Sequence, residues 1–157
     1  MNKEYPVAIV EDDPDDRMNF ISSLKEVGCC TRPLLEFENG LRLLEYMKKA
    51  PEVELPSVIF LDLNMPVIDG REILKELKTN KQLKHIPIIV LTSTKSELER
   101  SFSYQMGANC HMTKPDTYAQ ALEFARAVTL LWGLNDPLPN QQQTNLSIQN
   151  KEQSLDT

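Results

Sequence analysis

The sequence predicts an α/β protein, one parallel sheet of five strands covered on both faces by five helices. Three observations predict it. Short apolar runs rich in β-branched residues recur along the chain, stretches with helical periodicity alternate with them, and the runs are apolar at consecutive positions, as strands buried on both faces require.

PVAIV at 6–10 predicts strand 1, and Phe20, Ile21, Leu24 and Val27 share one face of the first helix. Asp13 before Pro14 reads as that helix's N-cap with proline at its first position, and Asp15 and Asp16 suit the positive end of the helix dipole. PLLEF at 33–37 predicts strand 2, followed by a helix with Leu41, Leu44 and Met47 on one face. SVIFL at 57–61 predicts strand 3. Asp69, ahead of Gly70 and Glu72, opens the third helix, whose apolar face carries Ile73, Leu74 and Leu77. IPIIVL at 86–91 predicts strand 4. Ser96 and Glu99 form a capping box for a fourth helix with Leu98, Phe102 and Met106 on one face, and Gly107 stands where its C-terminal cap belongs. NCHMT at 109–113 predicts strand 5, and a fifth helix runs from about 117 to 134. The most economical winding of these parts is the doubly wound, flavodoxin-like order 2-1-3-4-5. Pro33 agrees, because proline cannot donate to a ladder and strand 2 is an edge in that order.

The 157 residues suit one domain, expected over 1–134. Residues 135–157 are rich in Gln and Asn with little to bury, which predicts a disordered tail and leaves no room there for an output domain. A net charge of -6 argues against nucleic acid as a partner, since phosphate-backbone binders carry clustered positive charge. Cys29, Cys30 and Cys110 lack metal-ligand spacing and read as reduced core thiols. The start MNKEYP has no signal-peptide apolar region and no apolar run approaches the ~20 residues of a membrane span, so a cytoplasmic protein without membrane association is expected.

In such sheets the working site lies beyond the carboxyl ends of the strands. Strand 1 delivers Glu11 and Asp12 there, strand 3 Asp62 and then Asn64, strand 4 Thr92, Ser93 and Thr94, and strand 5 Lys114. Carboxylates gathered so closely resist joint ionisation unless a cation joins them, and hard oxygen donors without thiol or imidazole suit Mg²⁺. Asp62 ends an apolar central strand and Asp69 takes the capping role, so Asp62 is left free to react. A carboxylate beside Mg²⁺ can attack phosphorus, with a hydroxyl from Thr92 and the ammonium of Lys114 holding the remaining phosphoryl oxygens.

The residues VEDD, FLDLNMPVIDG, VLTS and TKP, in this order and spacing, closely resemble the receiver domain of two-component response regulators, from about Tyr5 to Leu134. The resemblance implies that Asp62 is the phosphoacceptor, that Glu11, Asp12 and Asp62 form the Mg²⁺ pocket together with the backbone carbonyl of Asn64, and that Thr92 and Lys114 are switch residues. His111 takes the position of a switching aromatic, the alternative being a half-buried side chain of an edge strand, and Asn64 and Thr94 are placed to tune dephosphorylation. LDLNMP, GANCHMTKP and LLWGLNDPLP are further similar to single-domain regulators paired with bacterial phytochrome histidine kinases. Two positions depart from the family pattern: Asp116 after Lys-Pro is acidic instead of apolar, and the first acid of the pocket is Glu11.

The expected function is a phosphorelay switch that accepts a phosphoryl group from a sensor histidine kinase, catalyses only its own phosphorylation and dephosphorylation, and changes the surface of helix 4, strand 5 and helix 5. Phe124, Val128, Leu131 and Trp132 form a second apolar stripe on helix 5, which predicts a homodimer through helices 4 and 5. Two other readings compete. A Mg²⁺-dependent phosphohydrolase normally has a second acid two residues after its nucleophile, where this chain has Asn64; a pseudo-receiver would keep the fold as a binding scaffold without reacting.

Overall fold

The computed structural model describes residues 5–27 and 33–131. Strands β1 (Val7–Val10), β2 (Leu34–Phe37), β3 (Val58–Asp62), β4 (Ile88–Thr92) and β5 (Cys110–Thr113) alternate with helices α1 (Pro14–Glu26), α2 (Gly40–Lys49), α3 (Gly70–Thr79), α4 (Glu97–Gln105) and α5 (Tyr118–Leu131). The sheet is parallel in the order β2-β1-β3-β4-β5, the flavodoxin-like winding expected, with Pro33 just ahead of an edge strand. Trp132, Cys29, Cys30, the expected last turn of helix 5 and the 135–157 tail lie outside the described residues.

Alternation along the strands divides the core in two. Ala8, Val10, Ile59, Leu61, Ile88 and Val90 pack with Leu43, Leu44 and Met47 of α2 and Ile73, Leu74 and Leu77 of α3. The intervening Val7, Ile9, Val58, Phe60, Ile89 and Leu91 pack with α1 and α5. Phe20, Phe60 and Phe124 meet on that second side, the Phe20–Phe60 rings edge-on with centroids 4.8 Å apart. Such a pair contributes about 1 kcal/mol beyond its buried area.

The helix starts follow the chemistry read from the sequence. Asp13 caps α1 by accepting from the Asp15 and Asp16 amides, and Asp69 caps α3 by accepting from the Arg71 amide. Gly107, at φ 97°, ends α4 in the left-handed conformation. Thr117 supplies the hydroxyl that accepts the Gln120 amide at the start of α5, while Asp116 stays exposed.

Four expectations are corrected. Phe124 and Val128 are not part of an outer stripe; they are buried in the α1–α5 core, because α5 turns Ala121, Phe124, Ala125 and Val128 inward together. Of the proposed dimer residues that are described, Leu131 is exposed, at 72%. Leu41 is exposed and Leu43 takes its place inward. In α4 the expected apolar face is made only in part: Phe102 and Met106 are half-buried, Met106 against the core, but Leu98 faces solvent while Glu99 and Ser103 are buried. The capping box there is half made, since Ser96 Oγ accepts the Glu99 amide but the Glu99 carboxylate is engaged elsewhere.

Candidate functional site

Strand register gathers the predicted residues at the carboxyl end of the sheet. Val10 pairs with Leu61, Asp62 with Leu91 and Thr92 with Thr113, so the residues at or just past these pairs form one row. The Lys114 amide closes the row by donating to the Thr92 carbonyl at 2.8 Å. Asp62 and Glu11 are buried, and ligand oxygens of Glu11, Asp12 and Asp62 all lie within 4.8 Å of one another.

Two backbone features hold Asp62 in place. Its Oδ1 accepts the Asn64 amide at 3.0 Å, which curls the chain directly after the strand. Gly70 comes so close that a Cβ there would stand 2.4 Å from the Asp62 carbonyl oxygen and 2.5 Å from Leu63 Cα. Glycine at the head of α3 is thus what lets the helix pack onto the strand end. Between them Val67 takes φ 74°, at the centre of a γ-turn closed by the Ile68 amide on the Pro66 carbonyl, a strained geometry for a β-branched residue.

Lys114 reaches in from the other side. Its ammonium lies 2.6 Å from Glu11 Oε2, 3.0 Å from Asp16 Oδ2 and 3.3 Å from Asp62 Oδ2. Desolvation opposes its charge, but bonds to Glu11 and Asp16 and the charge of Asp62 outweigh that and raise its pKa above the usual lysine value. The acids remain in excess. Burial, reinforced by the neighbouring Asp62 charge, pushes Glu11 up to about 7 against the pull of Lys114. Burial likewise raises Asp62, with Lys114 and the Asn64 amide working the other way. A set of hard carboxylate oxygens that one ammonium leaves under-neutralised is the donor chemistry that a small divalent cation fits.

The hydroxyl side is organised by Asn64 and Thr94. Asn64 Nδ2 donates to Thr92 Oγ1 at 2.7 Å, and the Thr94 amide donates to the same oxygen at 3.3 Å. Thr92 itself is fully buried, while Asn64 is exposed beside it. The structure thus brings together Glu11, Asp12, Asp62, Thr92 and Lys114, with Asn64 and Thr94 adjoining. His111 stands apart, on the same sheet face as Thr92 but against α4, its side chain 4% exposed.

Sequence reasoning missed three participants. Asp16, read as a helix-dipole acid, accepts from Lys114; Arg17 donates from Nη1 to the Glu11 carbonyl at 2.6 Å; and Arg71 bonds Glu99 at 2.5 Å. Asp16 and Arg17 stand on the inner side of the first turn of α1, a position that the DDPDDR run does not disclose because every residue in it is charged or proline.

Residues 7–125 match the response regulator receiver domain. The chain belongs to the response regulator receiver family. Members of this receiver family act as phosphoacceptor switches in two-component signalling. The response regulator Rcp1 of Synechocystis is 30% identical over 134 residues, covering 83% of this chain and 90% of that protein. The structure of Rcp1 in its Mn²⁺-bound form aligns with a TM-score of 0.72 at 30% identity, over 86% of this chain and 99% of Rcp1. The phosphorylated cyanobacterial phytochrome response regulator RcpA aligns with a TM-score of 0.74 at 28% identity, over 86% of this chain and 98% of that one. Among the described residues of this receiver, no helix is long and apolar enough to cross a membrane.

Proposed function

We propose that this receiver accepts a phosphoryl group on Asp62 from a sensor histidine kinase, in the presence of Mg²⁺, and that the new charge alters the face formed by α4, β5 and α5. The observation that carries the proposal is the surrounding of Asp62: a buried carboxylate in an acid cluster with Glu11 and Asp12, Lys114 at 3.3 Å, and Thr92 held close by through Asn64. Glu11, Asp12, Asp62 and the Asn64 backbone carbonyl would hold Mg²⁺, which supplies neutralising charge at the phosphoryl oxygens. An Asp62 carboxylate oxygen forms the new bond to phosphorus, and the bond to the donor nitrogen breaks with its electron pair leaving on the donor imidazole. Lys114 and Thr92 then hold phosphoryl oxygens. Thr92 Oγ1 accepts from Asn64 Nδ2 and from the Thr94 amide, so its own hydroxyl proton is left to donate to a phosphoryl oxygen, and Asn64 and Thr94 stand beside it where they influence access of the attacking water.

The similarity to Rcp1 and RcpA supports a phytochrome-type kinase as the donor. A second copy of the chain is the proposed partner of the α4–α5 face, now through Leu131 and the neighbouring exposed Leu130. Turnover as a phosphohydrolase is disfavoured because Asn64, two residues after the nucleophile, supplies an amide where a general acid would be needed. Incubation with acetyl phosphate and Mg²⁺ tests the proposal. The switch takes up one phosphoryl group per chain, a hydrolase releases phosphate over many turnovers, and a pseudo-receiver stays unlabelled with its fold intact.

A further inference from the structure

The buried face of α4 is polar where an apolar one was expected, and its centre is Glu99. Glu99 Oε2 accepts from Arg71 Nη2 at 2.5 Å, and Arg71 in turn holds Asp69 through Nη1. Glu99 Oε1 accepts from the hydroxyl of Thr94 at 3.1 Å. The Nε2 atom of His111 lies 3.9 Å from that same oxygen, beyond hydrogen-bond reach, and is a buried nitrogen without a hydrogen-bond partner among the described residues. A carboxylate is a costly residue to bury, and Leu98, one position earlier, is turned to solvent, so apolar packing does not explain this face.

Glu99 therefore connects three elements. Thr94 is the residue whose amide holds Thr92 Oγ1; Arg71 stands in the first turn of α3, next to the glycine that abuts Asp62; His111 sits on β5, opposite Val90 in register. Its ring is faced by Glu99 and Arg100 of α4, with Arg71 of α3 behind the Glu99 carboxylate and the Tyr104 hydroxyl accepting the His111 backbone amide. Burial lowers the His111 pKa, the Glu99 charge raises it, and Arg100 lowers it further, so the ring reports where the carboxylate stands.

We infer that Glu99 is a positioning residue that couples the Thr92–Thr94 turn at the phosphoryl site to His111 on β5. The inference rests on Asp62 being the phosphoacceptor. When Thr92 turns to the phosphoryl group, the Thr94 amide that holds it shifts as well, the Thr94 hydroxyl carries Glu99 Oε1 with it, and the carboxylate changes its distance from the unpartnered His111 nitrogen. The direct alternative, in which His111 moves only into space vacated by Thr92, does not involve Glu99.

NMR titration of the His111 ring, with and without labelling by acetyl phosphate and Mg²⁺, separates the two. The chain has two histidines, so the ring signals are assignable with one His85 variant. In the wild type the His111 midpoint moves on labelling by about half a unit or more. In Glu99→Gln the unlabelled midpoint falls by about one unit, because the facing charge is gone, and it no longer moves on labelling. Thr94→Val leaves the Glu99–Arg71 pair intact and so keeps the carboxylate charge facing the ring, with an unlabelled midpoint above that of Glu99→Gln, but it too loses the movement. Labelled wild type with an unmoved His111, or variants that respond as the wild type does, overturns the coupling alone. No label on wild-type Asp62 overturns the phosphoacceptor reading and the coupling with it.

Discussion

The raised pKa of Glu11 predicts a metal-free receiver that loses stability as pH rises, a loss that Mg²⁺ bound at the acid cluster should offset. In the folded chain its pKa stands at about 7 against 4.5 in an ordinary environment, because burial and the Asp62 charge outweigh Lys114. A carboxyl with a raised folded-state value binds its proton more tightly when folded than when unfolded. Stability is therefore greatest below the unfolded value and declines as pH climbs through the window from about 4.5 to 7, where the loss is complete. A shift of that size corresponds to about 3 kcal/mol for one proton, and the upward shift of Asp62 acts in the same direction. Denaturant unfolding in EDTA between pH 5 and 8 measures it. Glu11→Gln removes the penalty and flattens the profile, leaving the metal-free variant more stable than the wild type at pH 8, while Mg²⁺ stabilises the wild type most at pH 8 and the variant less. Metal-free wild type whose stability is flat or rising over this window, or a Glu11→Gln variant with the wild-type slope, refutes the electrostatic reasoning.

Gly70→Ala places a Cβ against the Asp62 carbonyl and Leu63 Cα, backbone atoms that cannot step aside singly; a loss of about 2 kcal/mol in unfolding free energy is expected, with slower labelling of Asp62, and unaltered melting would contradict the close packing. Lys114→Met strips the ammonium from Glu11, Asp16 and Asp62 and lowers stability in EDTA by about 3 kcal/mol at pH 8 but by less at pH 5, where the carboxyls take up protons; equal losses at both pH values would count against the charge cluster. For the α4–α5 pairing, Leu131→Asp should delay elution from a gel-filtration column to the monomer position, and an unchanged profile would remove the dimer.

The sheet order and the place of the site were legible because they rest on local signals. Strands apolar at consecutive positions announce a covered parallel sheet, and its strand ends put Glu11, Asp12, Asp62, Thr92 and Lys114 together. Caps such as Asp13 and Asp69 were equally plain, since their partners lie two or three residues away. The reading failed where the partner is distant. Periodicity assigns Leu98 to the core of α4 because it counts apolar residues, yet Glu99 goes in, neutralised by Arg71, 28 residues earlier. Asp16 looked like a helix-dipole acid until Lys114, 98 residues on, closed on it. In α5 two apolar stripes compete, and pattern alone does not say that Phe124 and Val128 meet Phe20 and Phe60, leaving Leu131 outside. The positive φ of Val67 has no sequence signal at all, since valine is among the residues least suited to it.

The most direct test of the account is the mass of the intact chain after incubation with acetyl phosphate. The wild type with Mg²⁺ should gain the mass of one phosphoryl group, and EDTA or Asp62→Asn should each abolish the gain. Uptake by Asp62→Asn at the wild-type level, or uptake by the wild type that is indifferent to EDTA, would contradict it.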